Sequence, residues 1–289
     1  MKSKSTKVWI VVFLLPTIVL FLGFYAYSII TVFVTGFTDW KLGEPISFVG
    51  ISNFTKMFQD ITFQVSLKNT LIWLVLHWII LVGISLLVAL VTIKKTRFSR
   101  ITRVIYLIPK MIPLAVIGFL YYFMFNPSIG LVNDFIRKLG FENFNVNWFQ
   151  DTRTAFAAVT VTTIFYGGVF MLLISSEIAA IPAEVYESAK VDGASEFQIN
   201  TMIVLPLIKN IVGTCLILAT VDCLKTFEVI YLTTSGGPGE LTMNLPVLIF
   251  RTAMTNSNYG YANAIAIVTI LIGALSMLLI TKVFRIGKD

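Results

Sequence analysis

Three ionisable residues with regular spacing, Asp222, Lys225 and Glu228, lie inside an apolar stretch of the chain. On a continuous α-helix, which turns about 100° per residue, their side chains would spread over roughly 120° of the helix surface. Charged groups in such a stretch either form ion pairs between packed helices or line a path for a polar solute. Lys225 can neutralise one carboxylate at a time, which leaves one excess negative charge. Both roles stay open, and they are compatible with each other.

Other residue types that often carry chemistry are isolated in this sequence. Cys215 and Cys223 fall in the same apolar stretch, so neither a disulfide framework nor a metal site is indicated. His77 has no acidic or Cys partner nearby, and we favour a packing role over a functional one. The phosphate-binding pattern Gly-x-x-x-x-Gly-Lys-Ser/Thr is absent. We therefore expect no metal site on this chain and no ATP hydrolysis by it.

The chain as a whole is strongly apolar. Of its 289 residues, 57% are hydrophobic, whereas soluble domains contain about 45–50%. A helix needs about 20 apolar residues to cross a bilayer, and isolated spans must satisfy their own backbone hydrogen bonds, which favours helices. We predict an all-α, polytopic membrane protein with six transmembrane helices. The predicted spans are residues 8–34, 71–93, 104–125, 155–174, 211–232 and 262–283.

The distribution of Lys and Arg predicts the orientation in the membrane. Six spans place both termini on one side, and that side carries 13 Lys and Arg residues against 7 on the other. Positive charge is enriched on the cytoplasmic side, so both termini and the connections 94–103 and 177–209 are predicted to be cytoplasmic. The net charge of +7 follows from this topology, and nothing indicates nucleic-acid binding.

The most hydrophilic long stretch, residues 184–206, is patterned as two short helices. Gly193 can adopt the left-handed conformation that ends a helix. Ser195 is typical of a helix N-cap, and Gln198 three residues later completes a capping box. The second helix is expected to run to about residue 205, where Pro206 breaks it. We call the whole predicted cytoplasmic segment 177–206 the hairpin.

The hairpin is expected to be rigid, because a solvated loop would not require such regular caps. Pro182 suits the first turn of its first helix, where the missing N–H costs nothing. Val185 and Ala189 then share one helix face, whereas Glu187 projects almost opposite. These features predict a docking knob for a cytoplasmic partner rather than a flexible loop.

The stretch ESAKVDGASEFQINTMIVLP resembles the signature loop of permease subunits from binding-protein-dependent ABC importers. That signature reads EAA, three residues, Gly, nine residues, then I-x-L-P, and Ser188 is the departure, because it replaces an alanine. The resemblance implies a type I ABC importer permease fold in which the hairpin contacts an ATPase subunit. The residues implied in this coupling are Glu184, Glu187, Ser188, Ala189, Asp192, Gly193, Ile203, Leu205 and Pro206.

Further segments resemble the carbohydrate branch of these importers, and together the segments cover most of the chain. The Gly-Gly-Pro loop is similar to that of the first of the two permeases that maltose-type systems carry. The matching segments are FVGISNFTKMF at 48–58, NTLIW at 69–73, NPSIGLVNDFI at 126–136, KTFEVIYLTTSGGP at 225–238 and YGYANAIAI at 259–267.

The resemblance implies partners for this chain. They are a second, related permease, a cytoplasmic ATPase dimer that binds ATP and Mg²⁺, and an extracellular or periplasmic solute-binding protein. The chain itself, embedded in membrane lipid, is expected to hold no cofactor. The system would import a sugar, an oligosaccharide or related glycoside, by alternating access across a bacterial or archaeal plasma membrane.

Several side chains inside the spans are candidates for the sugar pathway, since sugars bind aromatic faces and polar groups that match their hydroxyls. Tyr166 stands next to Gly167 and Gly168, where close backbone approach is possible. Lys110 has no acidic neighbour in sequence and would suit an acidic sugar. For each candidate, helix packing is the competing explanation. The candidates are Lys110, Tyr166, Asp222, Lys225, Glu228, Tyr231 and Asn263.

Two alternative functions are compatible with the same sequence. One is an ABC permease for glycerol phosphate or another polar solute. The other is an ion-coupled secondary carrier with Asp222 and Glu228 as a proton site, although such carriers often contain structural repeats, which are not evident here. In either case the expected divisions are residues 1–66 (tail, first span and outer loop), 67–283 (transmembrane domain with the hairpin) and 284–289 (tail).

Overall fold

A computed structural model describes residues 4–93 and 96–287 of the chain. The two lysines at 94–95 in the predicted cytoplasmic connection, and the tail residues 1–3 and 288–289, lie outside the described residues. Over the described ranges the secondary structure is helical, with two isolated β-bridges and no strands. The all-α prediction is confirmed.

The described residues contain six candidate membrane spans when each bent pair of helices is counted as one span, which agrees with the six predicted. Three spans are single helices, and each of the other three is a pair of helices bent at a short break. The single helices are Trp9–Thr35, Ile61–Val91 and Tyr259–Phe284, and the bent pairs are Arg97–Met111 with Leu114–Met124, Ala155–Ile164 with Gly168–Ala180, and Glu196–Leu207 with Lys209–Thr233.

The second span begins at Ile61, ten residues before the predicted start at 71. Polar residues in this segment gave the pattern of a loop, but their side chains are satisfied inside the protein. The Ser66 hydroxyl donates to the Thr62 carbonyl one turn earlier. The Asn69 amide donates to the carbonyls of Leu241 and Met243 at 2.9 and 2.8 Å. Buried polar groups with such partners are compatible with a helix interior.

The described residues fall into two compact units, of which the first comprises those within 1–61 and 248–270. Gly36 lets two helices of this unit approach closely, because an added Cβ would collide with the Ile267 side chain and lie 3.3 Å from the Ala264 nitrogen. The helices wholly within this unit are α1 (Lys4–Leu20), α2 (Tyr27–Thr35) and α3 (Ser52–Met57), with a π-helical segment, Phe21–Ala26, between α1 and α2.

The second unit comprises Thr62–Val247 and Leu271–Asp289. Its helices are α4 (Ile61–Leu76), α5 (Val82–Val91), α6 (Arg97–Leu107), α7 (Leu114–Met124), α8 (Leu131–Lys138), α9 (Ala155–Ile164), α10 (Gly168–Ala180), α11 (Ala183–Val191), α12 (Glu196–Gln198), α13 (Leu205–Leu207), α14 (Lys209–Leu224) and α15 (Glu228–Thr233). Two further helices, α16 (Leu245–Phe250) and α17 (Tyr259–Phe284), contribute residues to both units, and shorter segments are π-helical (His77–Leu81, Ile199–Val204, Arg251–Thr255) or 3₁₀ (Ile108–Met111).

Packing inside the second unit separates the helix halves on the two sides of the breaks. Helix α15 packs on α7 and α9, whereas α10 packs on α5, α6 and α14. Phe170, Met171 and Ile174 of α10 are almost fully buried and form the centre of the second group with Ala89 and Ala219.

Candidate functional site

The third span is broken between α6 and α7. A 3₁₀ turn, Ile108–Met111, carries Lys110, and the two helices of the span meet at 102°. Two prolines explain this break. Pro109 lies at the start of the 3₁₀ turn and lacks the N–H that a continuing helix would use, and Pro113 disfavours the helical conformation at the residue before it. Ile112 is accordingly extended, with φ −95° and ψ 133°. The span predicted over 104–125 is therefore present as a bent pair of helices rather than as one continuous helix.

The fourth span bends by 40° between α9 and α10. The close approach expected at Gly167 and Gly168 is confirmed. A Cβ on Gly167 would collide with Ser85 Oγ, and one on Gly168 would lie 2.9 Å from the Tyr106 carbonyl oxygen. Ser85 Oγ also donates to the Gly167 carbonyl at 3.0 Å. The glycines thus let the broken fourth span contact the second and third spans directly.

The fifth span is interrupted between Leu224, the last residue of α14, and Glu228, the first residue of α15. The predicted fan of Asp222, Lys225 and Glu228 over one continuous helix is therefore wrong, because these residues lie on both sides of an irregular turn. The Asn244 amide donates to the Thr226 carbonyl at 2.7 Å. Non-helical backbone at membrane depth requires such internal partners.

The three breaks are joined by Lys110, Tyr166 and Asp222, which we call the three-break cluster. Lys110 Nζ donates to Asp222 Oδ2 at 2.9 Å and lies 4.4 Å from the centre of the Tyr166 ring. The Tyr166 hydroxyl donates to the Ile112 carbonyl at 2.7 Å. An ion pair and a cation–π contact therefore meet at one ammonium group.

This geometry corrects two expectations about charge. Lys110, which has no acidic neighbour in sequence, pairs with Asp222, which lies 112 residues away. Lys225 does not form the predicted neutralising ion pair, since among the residues that the structure describes none joins it to Asp222 or Glu228 within 4.0 Å. The side chains of Lys110 and Asp222 are 23% and 45% exposed, so the pair is partly accessible and carries no net charge.

The structure places the remaining pathway candidates in other surroundings. Lys225 and Glu228 are exposed at the turn of the fifth span. Tyr231 stacks on Phe227 with ring centres 5.0 Å apart. Asn263 lies in the first unit, where its amide donates to Thr35 Oγ1 at 2.6 Å. Helix packing thus accounts for the Asn263 contact.

His77 has the hydrogen-bonded packing environment that the sequence favoured. It is 5% exposed and lies 2.7 Å from the Trp73 carbonyl through Nδ1. A carbonyl oxygen accepts only, so Nδ1 is the donor. Among the described residues there is no group of three or more His, Cys, Asp or Glu side chains that could hold a metal ion.

The first arm of the hairpin ends as the sequence predicted. Helix α11 stops at Val191, and Gly193 has a φ of +78°. Two backbone bonds close the end, from the Gly193 N–H to the Lys190 carbonyl at 3.1 Å and from the Ala194 N–H to the Ala189 carbonyl at 3.0 Å. This is the Schellman pattern that satisfies the last carbonyls of a helix.

The start of the first arm differs slightly from the prediction. Pro182 occupies the N-cap position, with ψ 142°, rather than the first helical turn. The second arm begins at the predicted capping box, in which the Ser195 N–H donates to Gln198 Oε1 at 2.8 Å and the Gln198 N–H donates to Ser195 Oγ at 3.3 Å. The helical arm continues past Pro206 to Leu207 and then bends by 68°.

The hairpin is anchored by one face and exposed on the other. Ala189, Ile199 and Val204 are buried in the core of the second unit. Glu187 is exposed, as the helix spacing predicted. The tip also exposes apolar side chains that the sequence analysis missed, of which Phe197 is 76% exposed. The signal available in the sequence was a phenylalanine, a residue type that is usually buried, in an otherwise hydrophilic helix.

One buried group near this anchor lacks a hydrogen bond. Within the described part of the chain, the Tyr186 hydroxyl has no hydrogen-bond partner although it is shielded from solvent. Burial raises the pKa of this phenol above its usual value, because the charged form is poorly solvated there.

The arrangement as a whole suits binding and movement rather than covalent chemistry. The cluster offers an aromatic ring and a half-exposed carboxylate, groups that can contact the faces and hydroxyls of a polar solute. The hairpin offers a stiff, acidic and partly apolar tip, whose buried face connects it to the spans.

Comparisons with known proteins agree with this description. A family described as "Binding-protein-dependent transport system inner membrane component" matches residues 81–285. The sulfoquinovosyl glycerol transport system permease protein SmoG of Agrobacterium fabrum is 33% identical over 281 residues, which cover 96% of this chain and 89% of that protein. The trehalose/maltose transport system permease protein MalF of Thermococcus litoralis is 32% identical over 243 residues, covering 84% of this chain and 81% of that protein.

A solved structure with the same fold covers nearly the whole chain. It is the crystal structure of a bacterial alginate ABC transporter in complex with an alginate pentasaccharide-bound periplasmic protein. The matching chain has a TM-score of 0.86 and 23% sequence identity, with 98% of each chain covered.

Proposed function

Because this chain belongs to the family of binding-protein-dependent transport system inner membrane components, we propose that it is the permease subunit of an ATP-driven ABC importer for a sugar. The substrate is an oligosaccharide or related glycoside, and it crosses the plasma membrane by alternating access. Relatives named for sulfoquinovosyl glycerol and for trehalose/maltose support a sugar. The observation that carries the proposal is the capped hairpin, anchored in the bundle and exposed at its tip.

Coupling to ATP takes place through the hairpin. A cytoplasmic ATPase dimer binds ATP and Mg²⁺ and contacts the tip of the hairpin around Glu187 and Gly193. The apolar part of this contact is made by Phe197, whose side chain is exposed on the second arm. Closure of the ATPase dimer moves the hairpin as a rigid body, because its helix ends are capped. This chain hydrolyses no ATP and holds no cofactor.

Substrate passage takes place next to the three-break cluster. The chain pairs with a second, related permease and acts as the first permease of the pair. Broken helices at membrane depth are typical of transport pathways, because free backbone groups are tolerated where they line a cavity. A solute-binding protein delivers the sugar to the outer loops, and both termini are cytoplasmic.

The ion pair disfavours a phosphorylated polyol as the substrate. Asp222 balances the charge of Lys110, so Lys110 is not a free cation for a phosphate group. The same pairing disfavours an ion-coupled carrier, because the Asp222 carboxylate is already occupied by the Lys110 ammonium.

Reconstitution of the complete importer tests this function. We expect proteoliposomes with both permeases, the ATPase and the binding protein to accumulate labelled sugar when ATP is enclosed. Replacement of ATP by ADP in the presence of a proton or sodium gradient is the control. Uptake driven by the gradient alone contradicts an ATP-driven importer, and competition by glycerol 3-phosphate but not by unlabelled sugar contradicts the substrate class.

A further inference from the structure

A second polar site lies at the corner between the second and third spans, by which we mean the connection from α5 to α6 on the side predicted to be cytoplasmic. Arg103 bridges the two helices at this corner. Its Nε donates to Thr92 Oγ1 at 2.9 Å, and Nη2 donates to the Thr92 carbonyl at 2.6 Å. Thr92 follows the last residue of α5, so the guanidinium satisfies a carbonyl at a helix end. The positions of α5 and α6 are thereby fixed relative to each other.

A cavity of about 320 Å³ opens beside this corner. Thr96, Ser99 and Arg100 line it with polar groups, and Leu107 and Leu172 line it with apolar side chains. The volume falls within the usual range of small-molecule pockets. One pocket thus combines a cationic side and an apolar side, which is the chemistry of a lipid headgroup joined to its acyl chains.

The charge of this connection favours an anionic occupant. The segment 94–103 contains five Lys and Arg residues and no Asp or Glu. Among the described residues, no ion pair within 4.0 Å is formed by Arg97, Arg100 or Arg103. Clusters of Lys and Arg at the cytoplasmic surface attract anionic lipids, and basic pockets between transmembrane helices bind their headgroups.

The helix that carries these arginines has an exposed apolar stripe. Phe98, Ile101 and Ile105, spaced three and four residues apart on α6, are 69%, 58% and 63% exposed. A helix with a basic side and an apolar stripe lies at the boundary of headgroups and acyl chains. The cavity therefore faces the depth at which phospholipid phosphates are found.

We infer that the cavity beside α6 binds an anionic phospholipid of the phosphatidylglycerol type. Arg100 contacts the phosphodiester, and the acyl chains run along Leu107 and Leu172. Leu172 belongs to α10, which leads into the hairpin. The bound lipid therefore stabilises the helix from which the hairpin extends.

Native mass spectrometry of the full chain tests this site. The detergent-purified protein is titrated with phosphatidylglycerol, with phosphatidylcholine of the same acyl chains, and with glycerol 3-phosphate. We expect Arg100→Gln to lower retention of phosphatidylglycerol about fivefold, which corresponds to about 1 kcal/mol per basic residue near the surface. Arg100 is exposed, so its substitution leaves the core intact, and Arg100→Lys should recover much of the binding.

A second variant and a control separate the pocket from general charge. Leu172→Trp fills the apolar side, keeps every arginine, and is expected to lower retention as well. Arg153→Gln removes an exposed arginine on the opposite, predicted outer side and should leave retention unchanged. Equal retention of both lipids, normal binding by Arg100→Gln or Leu172→Trp, or equally tight binding of glycerol 3-phosphate would each overturn the proposal.

Discussion

The hairpin and the three-break cluster are both polar features of an apolar chain, but they differ in how far along the sequence their bonds reach. The hairpin is closed by bonds between near neighbours, such as the Ala194 N–H to the Ala189 carbonyl and the Ser195–Gln198 capping box. The cluster joins Lys110 to a residue 112 positions away, and its Tyr166 hydroxyl to a carbonyl 54 positions away.

This difference determines what each region tolerates. A local cap contributes about 1 kcal/mol and is independent of distant residues. The cluster joins side chains from three helix breaks, and its charged groups are paired with each other. The loss of one charge therefore leaves the other without its partner. We expect the hairpin to be sensitive at its docking surface and the cluster to be sensitive to the pairing of its charges.

Changes at the tip of the hairpin should have the largest effect. Gly193→Asp places a side chain in left-handed backbone at φ +78° and adds bulk and charge to the tip. We expect sugar uptake to fall at least about tenfold, because a loss of about 1.4 kcal/mol of docking free energy is sufficient for this. The charge reversal Glu187→Lys should act in the same direction. Transport in reconstituted vesicles is the measurement, with membrane insertion checked in parallel.

Gly140→Asp is a matched control for this change. Gly140 also has a positive φ, of +105°, and an added Cβ meets no atom within 4 Å at either position. The backbone strain is therefore similar, but Gly140 lies in a predicted outer loop. Equal loss of uptake in both variants would assign the effect to strain and remove the evidence for docking at Gly193.

Changes in the cluster should have the next largest effect. Lys110→Met leaves Asp222 without its ion-pair partner, and we expect a loss of about 1–3 kcal/mol in stability, less than for a fully buried pair because both side chains are partly exposed. The double variant Lys110→Met with Asp222→Asn should recover part of this loss. Thermal unfolding in detergent and sugar uptake are the measurements.

Lys225→Met, in the fifth span, is the matched control for Lys110→Met. It removes an exposed lysine that forms no ion pair with the neighbouring carboxylates of the described chain, so we expect it to weaken uptake or assembly less than Lys110→Met does. Strictly additive effects of Lys110→Met and Asp222→Asn would show that the two groups are not coupled.

Loss of the capping box should have a smaller effect. Ser195→Ala removes the hydroxyl that accepts the Gln198 N–H, and we expect a cost of about 1 kcal/mol at the start of the second arm. Faster amide exchange at 196–199, with a modest decrease in uptake, is the expected result. Ser176→Ala, which removes an exposed hydroxyl on α10, serves as the comparison. Unchanged exchange in Ser195→Ala would mean that the cap does not stiffen the hairpin.

The smallest effect is expected at Tyr186. Tyr186→Phe removes a buried hydroxyl that has no hydrogen-bond partner among the described residues. Stability should stay the same or rise by up to about 1 kcal/mol, since an unsatisfied buried group is a cost. A clear decrease in melting temperature would show that this hydroxyl has a partner in the working protein.

The elements of the fold could largely be predicted because their signals are local. Apolar run length predicted all six spans, and the residue types at Gly193, Ser195 and Gln198 predicted the turn and cap of the hairpin. The start of the second span was missed because Ser66 and Asn69 have the polarity of a loop, and their partners become visible only after folding.

The candidate site could be predicted only in its residue types. Lys110, Tyr166 and Asp222 were each identifiable as unusual residues inside spans, but no pattern in one sequence indicates which of them meet. The prolines at 109 and 113 were a signal for the break in the third span. The length of the apolar stretch, taken alone, did not indicate this break. Assignment of Lys225 as the partner of Asp222 failed because proximity in sequence was used in place of proximity in space.

The separate packing of the two sets of half-helices has a mechanical consequence for the bundle. Helices α7, α9 and α15 hold to one another, and α10 holds to α5, α6 and α14, so the breaks in three spans lie between two tiers. A swivel of one tier against the other deforms backbone that is already irregular and preserves the side-chain packing within each tier. The hairpin continues directly from α10, so a force applied to it would act first on α10 and the helices that pack on α10, and Lys110 lies at the break of the third span between the two tiers.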